Sequence, residues 1–130
     1  MPQTLQQMIE AADAEVPRIG RTEAEALMDE GALVVDVRDA PELVQAGKVA
    51  GARHVSRGML EFRADAGSPL HDAEFRPERP VIVYCGAGGR AALAGLTLRE
   101  MGFARVYNLG AFKDWVEAGG AVERPMEGGM

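Results

Sequence analysis

Apolar residues recur along this chain in two alternating rhythms, the three-and-four spacing of a helix face and short unbroken runs of a buried strand. Leu5, Met8, Ile9 and Ala12 share one helix face behind Thr4, a residue that can cap the helix, and Pro17 closes it. Thr22-Glu23-Ala24-Glu25 has the capping-box pattern and predicts a second helix through Leu27 and Met28, which Gly31 can end in a left-handed conformation. A strand, Leu33-Val34-Val35-Asp36-Val37, follows at once. Asp39 can cap a short helix with Pro41 in its first turn and Gly47 near its end, and residues from Ala52 to Val55 read as a weaker strand.

Residues 56–80 break the rhythm. Gly58, Gly67, Pro69, Pro77 and Pro80 alternate with Met59, Leu60, Phe62, Leu70 and Phe75, which predicts short helical turns and loops. The run Val81-Ile82-Val83-Tyr84 then reads as a core strand, Gly89 to Met101 as a helix stopped by Gly102, and Arg105 to Leu109 as another strand. A helix through Phe112, Trp115 and Val116 ends at Gly119-Gly120. Strands separated by helical segments predict an α/β architecture, a parallel sheet with helices on both faces. The expected organisation is a helical extension over 1–16, one domain over 17–124 and a fraying tail over 125–130.

Composition narrows the function classes. A chain of 130 residues with 47% hydrophobic content can bury one core without staples. Its 14 basic against 20 acidic residues give a net charge of −6, and no basic run stands out, so nucleic acid is not an expected partner. No signal-peptide pattern and no membrane-length apolar run is present, which points to the cytoplasm and away from a membrane. One cysteine excludes an internal disulfide, and two histidines offer no metal-ligand cluster, so neither a metal nor another cofactor is expected.

That single cysteine is the candidate for chemistry. Cys85 opens Cys85-Gly86-Ala87-Gly88-Gly89-Arg90 at a strand-to-helix turn. The glycines let successive N–H groups converge, the helix contributes its positive end, and Arg90 supplies a fixed charge, a setting that favours a thiolate over a thiol. A cysteine at the end of a core strand is also commonly inert packing, so the loop as a whole, not the residue, carries the reading. The strand ending at Asp36-Val37-Arg38 can bring polar groups to the same sheet edge, where open α/β sheets bind ligands.

Three stretches resemble the single-domain rhodanese-like sulfurtransferases, over roughly residues 18 to 122. They are Val34-Val35-Asp36-Val37-Arg38-Asp39 with Glu42 and Gly47-Lys48-Val49-Ala50-Gly51-Ala52; Val81 to Arg90; and Val106-Tyr107-Asn108-Leu109-Gly110 with Trp115 and Gly119-Gly120. The resemblance implies a rhodanese-like fold with a parallel sheet of about five strands. It implies that Cys85 accepts a sulfane sulfur from thiosulfate or a persulfide, with Gly86, Ala87, Gly88, Gly89 and Arg90 holding the persulfide, and passes it to cyanide, a thiol or an acceptor protein. Asp36 and Arg38 would support the loop by hydrogen bonds. Tyrosine phosphatases and rhodanese-fold phosphatases place arginine one residue later than the five-position spacing here, in a cradle wide enough for phosphate. Lys48 stands where the family commonly has histidine, and Ala111 where it commonly has glycine, and neither is expected to carry chemistry. Positions 86–89 hold no cation to grip the sulfonate of thiosulfate, so thiosulfate is expected to be a poor donor.

Other residues carry plainer expectations. His54 and His71 are assigned no role, since an electrostatically stabilised thiolate needs no base. Met59, Phe62 and Phe75 could wall a pocket, with core packing as the simpler expectation, and Trp115 belongs to the core. Beside the enzyme reading stand a persulfide carrier that docks a partner and turns over small molecules slowly, and a thiol redox sensor.

Overall fold

The computed structural model describes residues 2–124, so the expected tail over 125–130 lies outside the described residues. Its helices are α1 (Leu5–Glu15), α2 (Arg21–Asp29), α3 (Ala40–Ala46), α4 (Leu60–Ala64), α5 (Gly89–Glu100) and α6 (Phe112–Glu117). The strands are β1 (Leu33–Asp36), β2 (Lys48–Val49), β3 (Arg53–His54), β4 (Val81–Cys85), β5 (Val106–Ala111) and β6 (Val122–Glu123). The main sheet runs β3-β1-β4-β5, all parallel. Beyond β5 the chain at Arg18 forms an isolated parallel bridge to Asn108, so a stub occupies the fifth position. β2 and β6 make a separate antiparallel pair.

Strand alternation sorts the core. Val81, Val83 and Cys85 of β4 face one side together with Leu33 and Val35 of β1, against α4 and α5. Ile82 and Tyr84 face the other with Val34, against Leu27 of α2 and Phe112 and Trp115 of α6. Cys85 is thus aimed at the face α5 covers. Helix α1 packs on that same face, with Val16 just beyond its end buried in the same cluster.

The expected caps hold in part. Thr4 and Gln7 form a reciprocal capping box on α1, and Gly31 and Gly47 take positive φ where the helices α2 and α3 stop. The Thr22 box does not form: α2 begins at Arg21 behind Gly20. Arg21 draws the start forward, its Nε donating to Glu25 Oε2 at 2.9 Å and its Nη1 to the Ala118 carbonyl at 2.5 Å. Between 56 and 80 the chain makes a single 3-10 turn, Arg57–Met59, then α4, then turns.

Candidate active site

Cys85 is the last residue of β4, Gly88 is the N-cap of α5, and only Gly86, Ala87 and Gly88 separate strand from helix. A turn this short needs Gly88 at φ 103°, where a side chain would be strained. The return on that geometry is convergence of donors: Sγ of Cys85 accepts from the Gly88 N–H at 3.0 Å and from the Ala91 N–H at 3.4 Å. Negative charge on sulfur is therefore met by backbone dipoles at a helix N-terminus. The residue itself is buried, at 1% exposure.

Arg90 makes no hydrogen bond to the sulfur among the described residues, although the Cys85 charge is one of the causes that raise its pKa. Its Nη1 and Nη2 donate to Glu42 Oε1 and Oε2 at 2.7 and 3.0 Å, a bidentate pair that ties the first turn of α5 to α3. Glu42 Oε1 also accepts the Asp39 N–H at 3.1 Å. The Arg90 hydrogen bond, above all, holds the Glu42 carboxyl down to about 2, and the same bond raises the Arg90 guanidinium above its ordinary value. Gly86 lies beneath this pair: a Cβ there would stand 3.1 Å from Arg90 Nη2 and 3.4 Å from Glu42 Oε2.

Asp36 and Arg38 make no hydrogen bond to residues 85–90 among the described residues. They form a buried pair, with Arg38 Nη2 donating to Asp36 Oδ2 at 2.7 Å. Arg38 also donates to the Gly47 carbonyl at 2.8 Å and lies over the Phe112 ring, 4.5 Å from its centroid. Burial works against the Arg38 charge, but the Asp36 hydrogen bond and charge outweigh it and raise its pKa. The link to the loop is Tyr84, whose hydroxyl donates to Asp36 Oδ2 at 2.6 Å and accepts the Val49 N–H at 3.0 Å. Burial, then the Asp36 charge, pushes that phenol well above its usual range. The pair thus steadies the residue before Cys85 rather than the loop after it.

On the other side Asn108 does what sequence reasoning missed. Pairing between β4 and β5 slips after Val83, so that Tyr84 meets Gly110 and Leu109 is extra. The buried Asn108 side chain fills the slip: its Oδ1 accepts the Gly110 N–H at 2.8 Å, and its Nδ2 donates to the Gly88 carbonyl at 3.4 Å. Glu42, Tyr84 and Asn108 all stood inside the quoted motifs, but no periodicity rule distinguishes a strand or helix residue that also braces a loop. His54 Nε2 lies 2.7 Å from the Arg38 carbonyl and His71 Nε2 3.4 Å from that of Phe75. Neither bonds to the loop among the described residues. Phe75 is core, edge-on to Phe103, while Phe62 is exposed.

A cysteine at the carboxyl end of a central parallel strand, its sulfur bonded by the amides of a glycine turn and the following helix, defines a thiol-centred α/β site. The chain belongs to the rhodanese-like domain family, whose model matches residues 21–118. It is 36% identical over 104 residues to the thiosulfate sulfurtransferase GlpE of Pseudomonas fluorescens, covering 78% of this chain and 86% of that protein. Among solved structures, the polysulfide-sulfur transferase homodimer of Wolinella succinogenes is 38% identical with a TM-score of 0.72, covering 89% of this chain and 84% of its own. A protein of unknown function from Rhodopseudomonas palustris, described as a possible tyrosine phosphatase, is 35% identical with a TM-score of 0.83 and coverage of 95% and 99%.

Proposed function

We propose that the protein is a sulfurtransferase in which Cys85 carries the transferred sulfur. The thiolate attacks the sulfane sulfur of thiosulfate or a persulfide, a new S–S bond forms, and the old one breaks with its electron pair leaving on sulfite or thiolate. Cyanide or a thiol, free or on an acceptor protein, then takes the outer sulfur and restores the Cys85 thiolate. These two displacements balance without any further reactant. Sγ receiving the Gly88 and Ala91 N–H groups is the observation that carries the reading, because a persulfide anion needs such donors and no side-chain base. The relatives named as thiosulfate sulfurtransferases support the same chemistry.

The five-position spacing from Cys85 to Arg90, one shorter than in the phosphatases, supports sulfur over phosphate. Brief thiosulfate exposure followed by intact mass should add one sulfur to the protein but none to Cys85→Ser, and cyanide should release it as thiocyanate. Hydrolysis of an aryl phosphate by Cys85 without sulfur loading would reverse the assignment. Fast loading with slow thiocyanate formation and fast transfer to a protein thiol would identify a carrier.

A further inference from the structure

The loop around Cys85 has no cation to spare. Positions 86–89 are glycine and alanine, Arg90 is committed to Glu42, and Arg38 to Asp36. Yet a small anionic donor must be drawn in, and the sulfite it leaves must be stabilised as charge develops on its oxygens.

One arginine outside the quoted motifs' catalytic positions stands at this site. The segment after α1 is pinned to β5: the Ile19 N–H donates to the Asn108 carbonyl at 3.0 Å, and the Asn108 N–H to that of Pro17 at 2.9 Å. Arg18 is thereby paired with Asn108 in parallel register, and paired residues project to the same side of a sheet. Asn108 uses that side to grip the Gly88 carbonyl and the Gly110 N–H. The Arg18 guanidinium follows it and lies on the same two glycines. A Cβ at Gly88 would be 3.7 Å from its Nη1, and a Cβ at Gly110 would overlap its Nη2. Gly110 and Gly88, at φ 89° and 103°, thus leave the seat that this side chain fills.

Arg18 is exposed, and its side chain makes no hydrogen bond or ion pair with any described residue, whereas the guanidinium of each other arginine has at least one partner, a side chain or a backbone carbonyl. Gly88 N is 3.0 Å from the sulfur. Across one residue, that bounds the guanidinium to within about 10 Å of Sγ, the span of a small oxyanion bonded at both ends. A planar guanidinium with its donors unspent is suited to bidentate capture of tetrahedral oxygens.

We infer that Arg18 is the substrate-binding cation of this site, receiving the sulfonate oxygens of thiosulfate while Cys85 attacks the terminal sulfur, and holding the sulfite that departs. The inference rests on the sulfurtransferase reading and assigns the donor's anionic end to a residue lying before the stretch matched by the family model.

Two measurements on the full chain separate the inference from the reading beneath it. The thiosulfate concentration that half-loads Cys85 should rise about tenfold in Arg18→Gln and less in Arg18→Lys, the scale of a lost charge-assisted bond, with the melting temperature unchanged. Independently of any sulfur donor, the ratio of Cys85 alkylation rates by iodoacetate and iodoacetamide should fall several-fold in Arg18→Gln and be restored in Arg18→Lys. A protein that fails to load from thiosulfate but shows the alkylation shift loses the donor and keeps the cation. An alkylation ratio that does not move, or both reagents slowing equally, overturns the assignment to Arg18.

Discussion

The residue whose chemistry the structure changes most is Glu42. In the sequence it is a helix-start carboxylate; in the fold it is the anchor of Arg90 and so of the loop's far end. Its folded pKa of about 2 lies below its ordinary 4.5, so the pair's stabilisation is complete above about 4.5 and is lost as pH falls from there through 2. Both side chains are more than a third exposed, at 37% and 39%, so screening limits the contribution to about 1 kcal/mol. Urea unfolding followed by Trp115 fluorescence should therefore show Glu42→Gln less stable than the native chain at pH 6, with the gap closing by pH 2. Loosening the anchor should also slow sulfur loading of Cys85 about tenfold, read by quenched mass spectrometry, because the donors at Gly88 and Ala91 depend on where α5 starts.

At the scale of elements, α1 and α5 meet through a glycine. Gly95 lies mid-helix, where alanine is worth about 1 kcal/mol more, but a Cβ there would stand 2.9 Å from Val16 Cγ1 in the close-packed core. Gly95→Ala should destabilise by about 1–2 kcal/mol despite its better propensity. In a Val16→Ala background the same change should turn neutral or stabilising, and a double-mutant cycle in urea checks that reversal. The elements themselves were largely legible: the β4 and β1 runs, the Asp39 start with Gly47 after it, and the turn at Cys85 all follow from local pattern. Contacts between elements were not. The slip beside Gly110 and the bracing by Asn108 depend on which strand lies next to which, and α2's start on an Ala118 carbonyl far along the chain. Asp36 and Arg38 were legible as polar residues at a strand end, while their partner Tyr84 reads in sequence only as a core aromatic.

Across the whole molecule, the chain's last described turn is what closes the side opposite α1. Trp115 Nε1 donates to the Ala121 carbonyl at 2.9 Å, and β6 pairs with β2, bringing Glu123 over Lys48. Lys48 is 2% exposed, and its ammonium donates to Glu123 Oε1 at 2.5 Å and to the Ala52 carbonyl at 2.7 Å. Glu123 Oε1 also accepts the Gly51 N–H at 3.0 Å, and at 27% exposure it keeps access to water. The two partners are therefore unequal. Removing the carboxylate strands a buried charge with a single acceptor, whereas removing the ammonium leaves a carboxylate that water and Gly51 still serve. Glu123→Ala should cost about 3 kcal/mol and lower the melting temperature by about 10 °C, Lys48→Met about 1 kcal/mol, and Glu123→Gln should fall between them. Thermal unfolding of the three variants measures the order. If Lys48→Met proved the most damaging, the ammonium would be serving the Ala52 turn and hence β3, and the closure would rest on that turn rather than on the ion pair.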